Sequence, residues 1–217
     1  MQKQSTLTTL SALTVLMIAA YACADIPPPL PEWASIAYPD EVSVFVALDG
    51  DGDRLDACRA LTSSPGTTVD ATITITAVDW FTQNPLEGLA PEDFWLETEA
   101  AGLVLCPMGF MADGPTDADG ITTMSGALHG GGHSDRAADE ETFVIYSGYQ
   151  VHSNGFDLRF NSADINGDLI VNLDDVIYFT QMYFSGEYHY AVDYYFDGVL
   201  NLNDIIYFMW NMNTLCE

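Results

Sequence analysis

The sequence predicts a multidomain fold, an all-β sandwich over residues 40–160 followed by a small α-helical module over residues 161–217. Three observations carry that reading. Apolar residues alternate with polar ones in several runs before position 161, Gly, Asp and Pro crowd the connections between those runs, and a nine-residue string is duplicated after position 161. Alternation at period 2 marks a half-buried strand, and those three residue types supply turn conformations.

The elements follow in chain order. Lys3, the apolar run Leu10 to Ala20 and the small-x-small site Ala22-Cys23-Ala24 read as a signal peptide over residues 1–24, cut before Asp25. Acylation of Cys23 is the alternative. The run is short for a bilayer span and no later stretch is long and apolar enough, so the expected product is secreted and extracellular, with the cell surface as one destination. Pro27, Pro28, Pro29, Pro31 and Pro39 make residues 25–39 a proline-rich, extended leader. Strands are expected around Val42, Val44, Val46 and Leu48 on one face, around Ile73 and Ile75, in 94–105 and 142–147, and around Phe156, Leu158 and Phe160.

Within that region, Thr116-Asp117-Ala118-Asp119-Gly120-Ile121-Thr122 resembles the T-D-x-x-G-x-x turn of bacterial immunoglobulin-like domains of the invasin type. The resemblance implies an immunoglobulin-like sandwich serving as a spacer or adhesive module.

Charge excludes several classes of partner. With Lys3 removed, only Arg54, Arg59, Arg136 and Arg159 oppose 32 acidic residues. Nucleic acid and anionic lipid both require a basic footprint, which is missing. A hydrophobic content of 48% with 12% aromatics is nonetheless enough for a packed core rather than a disordered chain. Cys58, Cys106 and Cys216 survive cleavage, giving one disulfide and one free thiol in three possible pairings. Cys58–Cys106 is the expected pair, since both lie in the first domain.

The duplication holds the chemistry. V-N-L-D-D-V-I-Y-F at 171–179 and L-N-L-N-D-I-I-Y-F at 200–208 agree at six of nine positions, 29 residues apart. Each string ends a twelve-residue loop with oxygen donors at alternate places. In the first loop they are Asp164, Asn166, Asp168, the Ile170 carbonyl and Asp175, at positions 1, 3, 5, 7 and 12. In the second they are Asp193, Asp197, the Val199 carbonyl and Asp204, with Tyr195 at position 3. Calcium is a hard cation taking six to eight oxygens, and this spacing wraps them around one point. Gly198 supplies the sharp turn at position 6 of the second loop, where the first has Leu169. Val171 and Leu200 at position 8 should pack together, and Asn172 and Asn201 should cap helices completed by Asp175 and Asp204. Val176, Phe179 and Tyr183 would meet Ile205, Phe208 and Met209 in one small core.

Aspartate at position 12 makes the resemblance specific: residues 162–215 are similar to dockerins. That resemblance implies calcium-dependent folding and docking onto a cohesin-like module of a scaffold or cell-surface protein. The pattern departs from the family at positions 10 and 11, where Leu173-Asp174 and Leu202-Asn203 replace small hydroxyl residues.

Other constellations carry less. His129-Gly130-Gly131-Gly132-His133 could suggest an oxyanion hole, but no G-x-S-x-G elbow accompanies it. It could suggest zinc with Asp135, but a glycine run fixes no ligand geometry, so a flexible hairpin is expected. Asp49-Gly50-Asp51-Gly52-Asp53 opens like a third loop, yet position 12 is Ala60, and a hairpin tip is expected. Trp33, Trp80 and Trp95 are available for stacking on sugars. The functional expectation is a non-catalytic, secreted interaction protein that binds calcium and docks to a partner. The alternative is a carbohydrate-binding component of a secreted polysaccharide-degrading assembly.

Overall fold

The computed structural model describes residues 31–37, 41–60, 67–79, 81–99, 102–134, 141–151 and 155–216. The expected signal peptide, most of the leader, Trp80, Asp135 and Arg136 lie outside them.

Twelve strands form among the described residues: β1 (Pro31–Ile36), β2 (Val42–Val46), β3 (Cys58–Ala60), β4 (Thr67–Val69), β5 (Ile73–Ala77), β6 (Phe94–Thr98), β7 (Leu103–Leu105), β8 (Ile121–Met124), β9 (Gly130–Gly132), β10 (Thr142–Tyr146), β11 (Tyr149–Gln150) and β12 (Leu158–Ser162). Two helices follow, α1 (Leu173–Tyr183) and α2 (Leu202–Trp210). The strands pair in four small sheets, ordered β1-β5-β8, β11-β10-β6, β12-β2-β3-β4 and β7-β9. All pairings are antiparallel except β2 with β12, which run parallel in the register Val42↔Leu158 to Val46↔Ser162.

This corrects the expected fold class. The chain is mostly β, in several sheets of two to four strands, and does not form an immunoglobulin-like sandwich followed by a helical dockerin-like module. The reason lies in β2, whose five residues are all buried. Its even-numbered side chains, Val42, Val44 and Val46, enter one core with Ile73, Phe94 and Phe160. On its other side Phe45, followed by Ala47 and Leu48, enters a second core with Phe179, Tyr194 and Phe208. A strand apolar on both faces needs cover on both. The helices supply the second cover, so the C-terminal segment completes the β body instead of standing apart from it. Leu48, expected on the face of Val46, turns into the second core because the strand has ended.

Ring contacts define that second core. Phe179 stacks on Phe208 at 4.6 Å between centroids, and Phe45 meets Tyr194 at 5.4 Å and Tyr207 at 5.5 Å. Val176, Tyr183 and Ile205 pack around it, whereas Met209, expected inside, is 60% exposed. Across the seam, Ser43 and Tyr190 share a 2.8 Å hydroxyl contact, and the Asn161 amide donates to the carbonyls of Tyr190 and Asp193. The expected boundary at 161 falls inside β12.

Three smaller expectations are also corrected. Cys106 pairs with Cys216, with Cα atoms 5.6 Å apart, and Cys58 is the free, buried thiol. Cys106 belongs to the second core and Cys216 packs against it, which brings the two together across the seam. Pro31–Ile36 is no leader but a strand paired with β5. The glycine run is no hairpin: β9 pairs with β7, with Leu103 opposite Gly132 and Leu105 opposite Gly130. The turn at 116–122 does enter a strand, β8, with the Asp117 carboxylate accepting from the Asp119 and Ile121 N–H groups. No described helix is long and apolar enough to cross a membrane.

Candidate metal centre

β12 and the turn after it deliver Asp164, and the chain then wraps through Asn166, Asp168 and Ile170 before α1 begins at Leu173. Asp164 is fully buried. Its Oδ1 accepts the Asp168 N–H at 3.1 Å and its Oδ2 the Leu169 N–H at 2.8 Å. Asp175, also fully buried, closes the loop: Oδ1 accepts from Ile165 N–H at 2.9 Å and Oδ2 from Asn172 N–H at 2.9 Å. Asn172 in turn accepts from the Asp174 N–H, completing the expected capping box.

The second loop repeats this network. Asp193 accepts from Asp197 N–H at 3.3 Å and Gly198 N–H at 2.9 Å. Asp204 accepts from Tyr195 N–H at 3.1 Å and Asn201 N–H at 2.8 Å. Asn201 forms the matching capping box at α2. Both loops turn left-handed at positions 4 and 6: Gly167 and Leu169 in the first, Phe196 and Gly198 in the second. Each loop thus has one glycine for two such positions, and the two loops place it differently.

Positions 3, 5 and 7 lie toward solvent. In the first loop the Asn166 amide donates to Asp168 Oδ2 at 3.1 Å, and the Asn172 amide to the Ile170 carbonyl at 3.2 Å. In the second, the Asn201 amide bridges Asp197 Oδ2 at 3.1 Å and the Val199 carbonyl at 3.0 Å. Tyr195 is diverted from any ligand role: its ring lies 5.4 Å from the Arg59 guanidinium carbon. Val171 and Leu200 both join the second core, but the Val171 backbone pairs with Asn213 and Thr214 of the C-terminal segment.

The electrostatics are unusual. Asp164, Asp175, Asp193 and Asp204 are fully buried, yet among the described residues none makes an ion pair with a basic side chain. Arg54 pairs with Asp56, Arg59 with Asp53 and Arg159 with Glu41. Burial pushes the Asp164 and Asp193 carboxyls above the ordinary carboxylate range, and that of Asp204 up to about 6. Buried carboxylates are normally paired or bound to metal. The all-oxygen donor set suits a hard divalent cation. Among the described residues, no three His, Cys, Asp or Glu side chains converge as a preassembled metal cluster. The fit therefore rests on donors strung along each loop, including an amide and carbonyls.

The β body contacts both loops through residues that sequence reasoning did not assign to the site. The Gly132 N–H donates to the Asp164 carbonyl at 2.6 Å, and Gly131 is so close to the Asp164 carboxylate that any side chain there would overlap it. Arg59 donates to the Tyr194 carbonyl and the Tyr207 hydroxyl, each at 2.7 Å. From the segment between α1 and the second loop, outside the β body, the Tyr188 hydroxyl donates to Asp193 Oδ2 at 2.8 Å. Three consecutive glycines were a visible signal of close backbone approach. Arg59 was visible only as one of few cations. No family model matches this chain, and no curated protein or solved structure is significantly similar to it.

Proposed function

We propose that this protein is a secreted, non-catalytic interaction protein whose C-terminal loops bind calcium and thereby order a surface that docks to another protein. The observation that carries the reading is the set of four fully buried aspartates, in two pairs 29 residues apart, with no basic partner among the described residues. Asp164, Asp168 and Asp175 with Asn166 and the Ile170 carbonyl would hold one ion. Asp193, Asp197 and Asp204 with the Val199 carbonyl would hold a second, with fewer protein donors and hence lower affinity. Bound calcium supplies the missing positive charge and so ties loop closure to folding.

The docking surface follows from what the helices leave uncovered. Leu173 and Leu202 are 69% and 66% exposed; Ile177 follows Leu173 one turn on in α1, and the exposed Ile206, Met209 and Trp210 follow Leu202 at helical spacing along α2. Clustered exposed apolar residues mark interaction sites. With so acidic a chain around them, the complementary partner is a scaffold or cell-surface protein with an apolar patch rimmed by Lys and Arg. A second reading, binding of a polysaccharide, is favoured by Trp95, which lies between open clefts of about 260 and 400 Å³ with Glu92 and Glu97 beside it.

Calorimetric titration of the full, disulfide-bonded chain with calcium tests the first reading. Saturable binding that is reduced in Asp164→Ala and separately in Asp193→Ala is expected. Absence of binding at millimolar calcium would remove it.

A further inference from the structure

We propose that Gly131 of β9 is a positioning residue for the first loop, so that the β body itself sets how tightly that loop holds a cation. This rests on the calcium reading above. β9 crosses the start of the loop so closely that a Cβ on Gly131 would overlap the Asp164 side chain. Leu103–Leu105 of β7 pair with β9 along its whole length, Val104 opposite Gly131, and beyond it Ser134 exchanges both backbone hydrogen bonds with Phe160 of β12. β12 is the strand that leads into Asp164. The Gly132 N–H to Asp164 carbonyl bond and a 3.3 Å contact between His133 Nδ1 and the Ile165 carbonyl pin the same turn. From the loop side, Gly167 lies against the Val104 side chain of β7.

Asp164 has no room to yield. Both carboxylate oxygens are held by loop N–H groups, and a methyl group on Gly131 would press on its Cβ and Cγ as well as on Oδ2. A side chain at 131 therefore forces one of two changes: the carboxylate leaves its place in the loop, or β9 leaves the loop. The first change takes the buried donor from the loop, and the second strips the donor of the wall and the Gly132 hydrogen bond that pin it. In the second loop the equivalent Asp193 meets the Tyr188 hydroxyl instead, so the effect is confined to one site.

The experiment compares wild type, Gly131→Ala and Gly126→Ala as full, oxidised chains. Gly126 has open space where its Cβ would lie and serves as the control. Calcium titrations and thermal unfolding, with calcium and with chelator, are read for each. Gly131→Ala should lose at least tenfold in affinity in one binding phase and keep the other. Its calcium-dependent rise in Tm should shrink, while Gly126→Ala behaves as wild type. Wild-type affinity in both phases of Gly131→Ala overturns the proposal. So does a variant destabilised equally with calcium and with chelator, because the glycine would then serve packing alone. A wild-type chain that binds no calcium would instead overturn the metal reading on which the proposal stands.

Discussion

Replacing Asp204 by Asn isolates the electrostatic strain that the loops carry when no cation is present. Asp204 is fully buried, and burial pushes its carboxyl up to about 6 from an ordinary value of 3.8. A carboxyl raised in the folded state contributes stability that is complete below its unfolded pKa and is lost as pH rises through its folded pKa. The window is therefore pH 4 to 6, roughly, and a displacement of about two units limits the loss to about 3 kcal/mol. Between about pH 4.5 and 7, about 2 kcal/mol of it should appear. Asp164 and Asp193 are raised by the same cause and add losses of the same sign. Asn at 204 can accept one of the two bonds now made by the Asn201 and Tyr195 N–H groups, a pH-independent cost of about 1 kcal/mol. Urea denaturation of wild type and Asp204→Asn at the two pH values, with chelator and with calcium, gives the comparison. Metal-free wild type should weaken toward neutral pH more steeply than the variant, and calcium should flatten the wild-type fall. Equal slopes for the two proteins, or a metal-free wild type more stable at neutral pH, would refute the reasoning.

Other perturbations probe the seam between the helices and the strands. Cys216→Ser opens a cross-link spanning 110 residues, which should cost about 4–5 kcal/mol by the chain-entropy argument and be mimicked by reductant in wild type. Arg59→Met strands the Asp53 carboxylate and the Tyr194 carbonyl together, and should cost about 3 kcal/mol in denaturant melts; a loss under 1 kcal/mol would mean that Arg59 holds nothing. Leu173→Ser combined with Leu202→Ser should change stability by no more than about 0.5 kcal/mol per site, since both side chains face solvent; a large loss would place them in a core and not on a docking surface.

Local structure was legible in the sequence wherever one residue type settles it. The alternation at Ile73 and Ile75 gives β5, the Asn172 and Asn201 caps open both helices, and the 29-residue repeat, extended back from the duplicated string, places Asp164 and Asp175 at points equivalent to Asp193 and Asp204. The architecture was not legible. Val42–Val46 reads as a strand with one buried face because Ser43 is polar, yet Ser43 is buried through its contact with the Tyr190 hydroxyl, and Phe45 faces a second core. Periodicity reports local burial and says nothing of what supplies it across 147 residues. Gly130–Gly132 has no side chains to show an alternation, so its strand exists only through its neighbours. The disulfide pairing depends on the same unseen seam.

That seam also explains how two imperfect loops can both close. A residue other than glycine in the left-handed region costs about 1–2 kcal/mol, and each loop has one: Leu169 at φ 67° and Phe196 at φ 54°. Phe196 is fully buried beside Tyr190, a contact whose apolar burial, about 2–3 kcal/mol, exceeds that cost. The Leu169 carbonyl accepts from the Cys216 N–H, and the Leu169 side chain packs on the second core. The compensation in each case comes from outside the twelve residues of the loop, through the 190–192 turn or the disulfide-tied tail. A C-terminal fragment cut at residue 160 would keep the aspartates and lose Gly131, Val104, Arg59 and Cys106. Its loops would have the same donors without the walls that hold them, so weak binding by the fragment would be no evidence against strong binding by the chain.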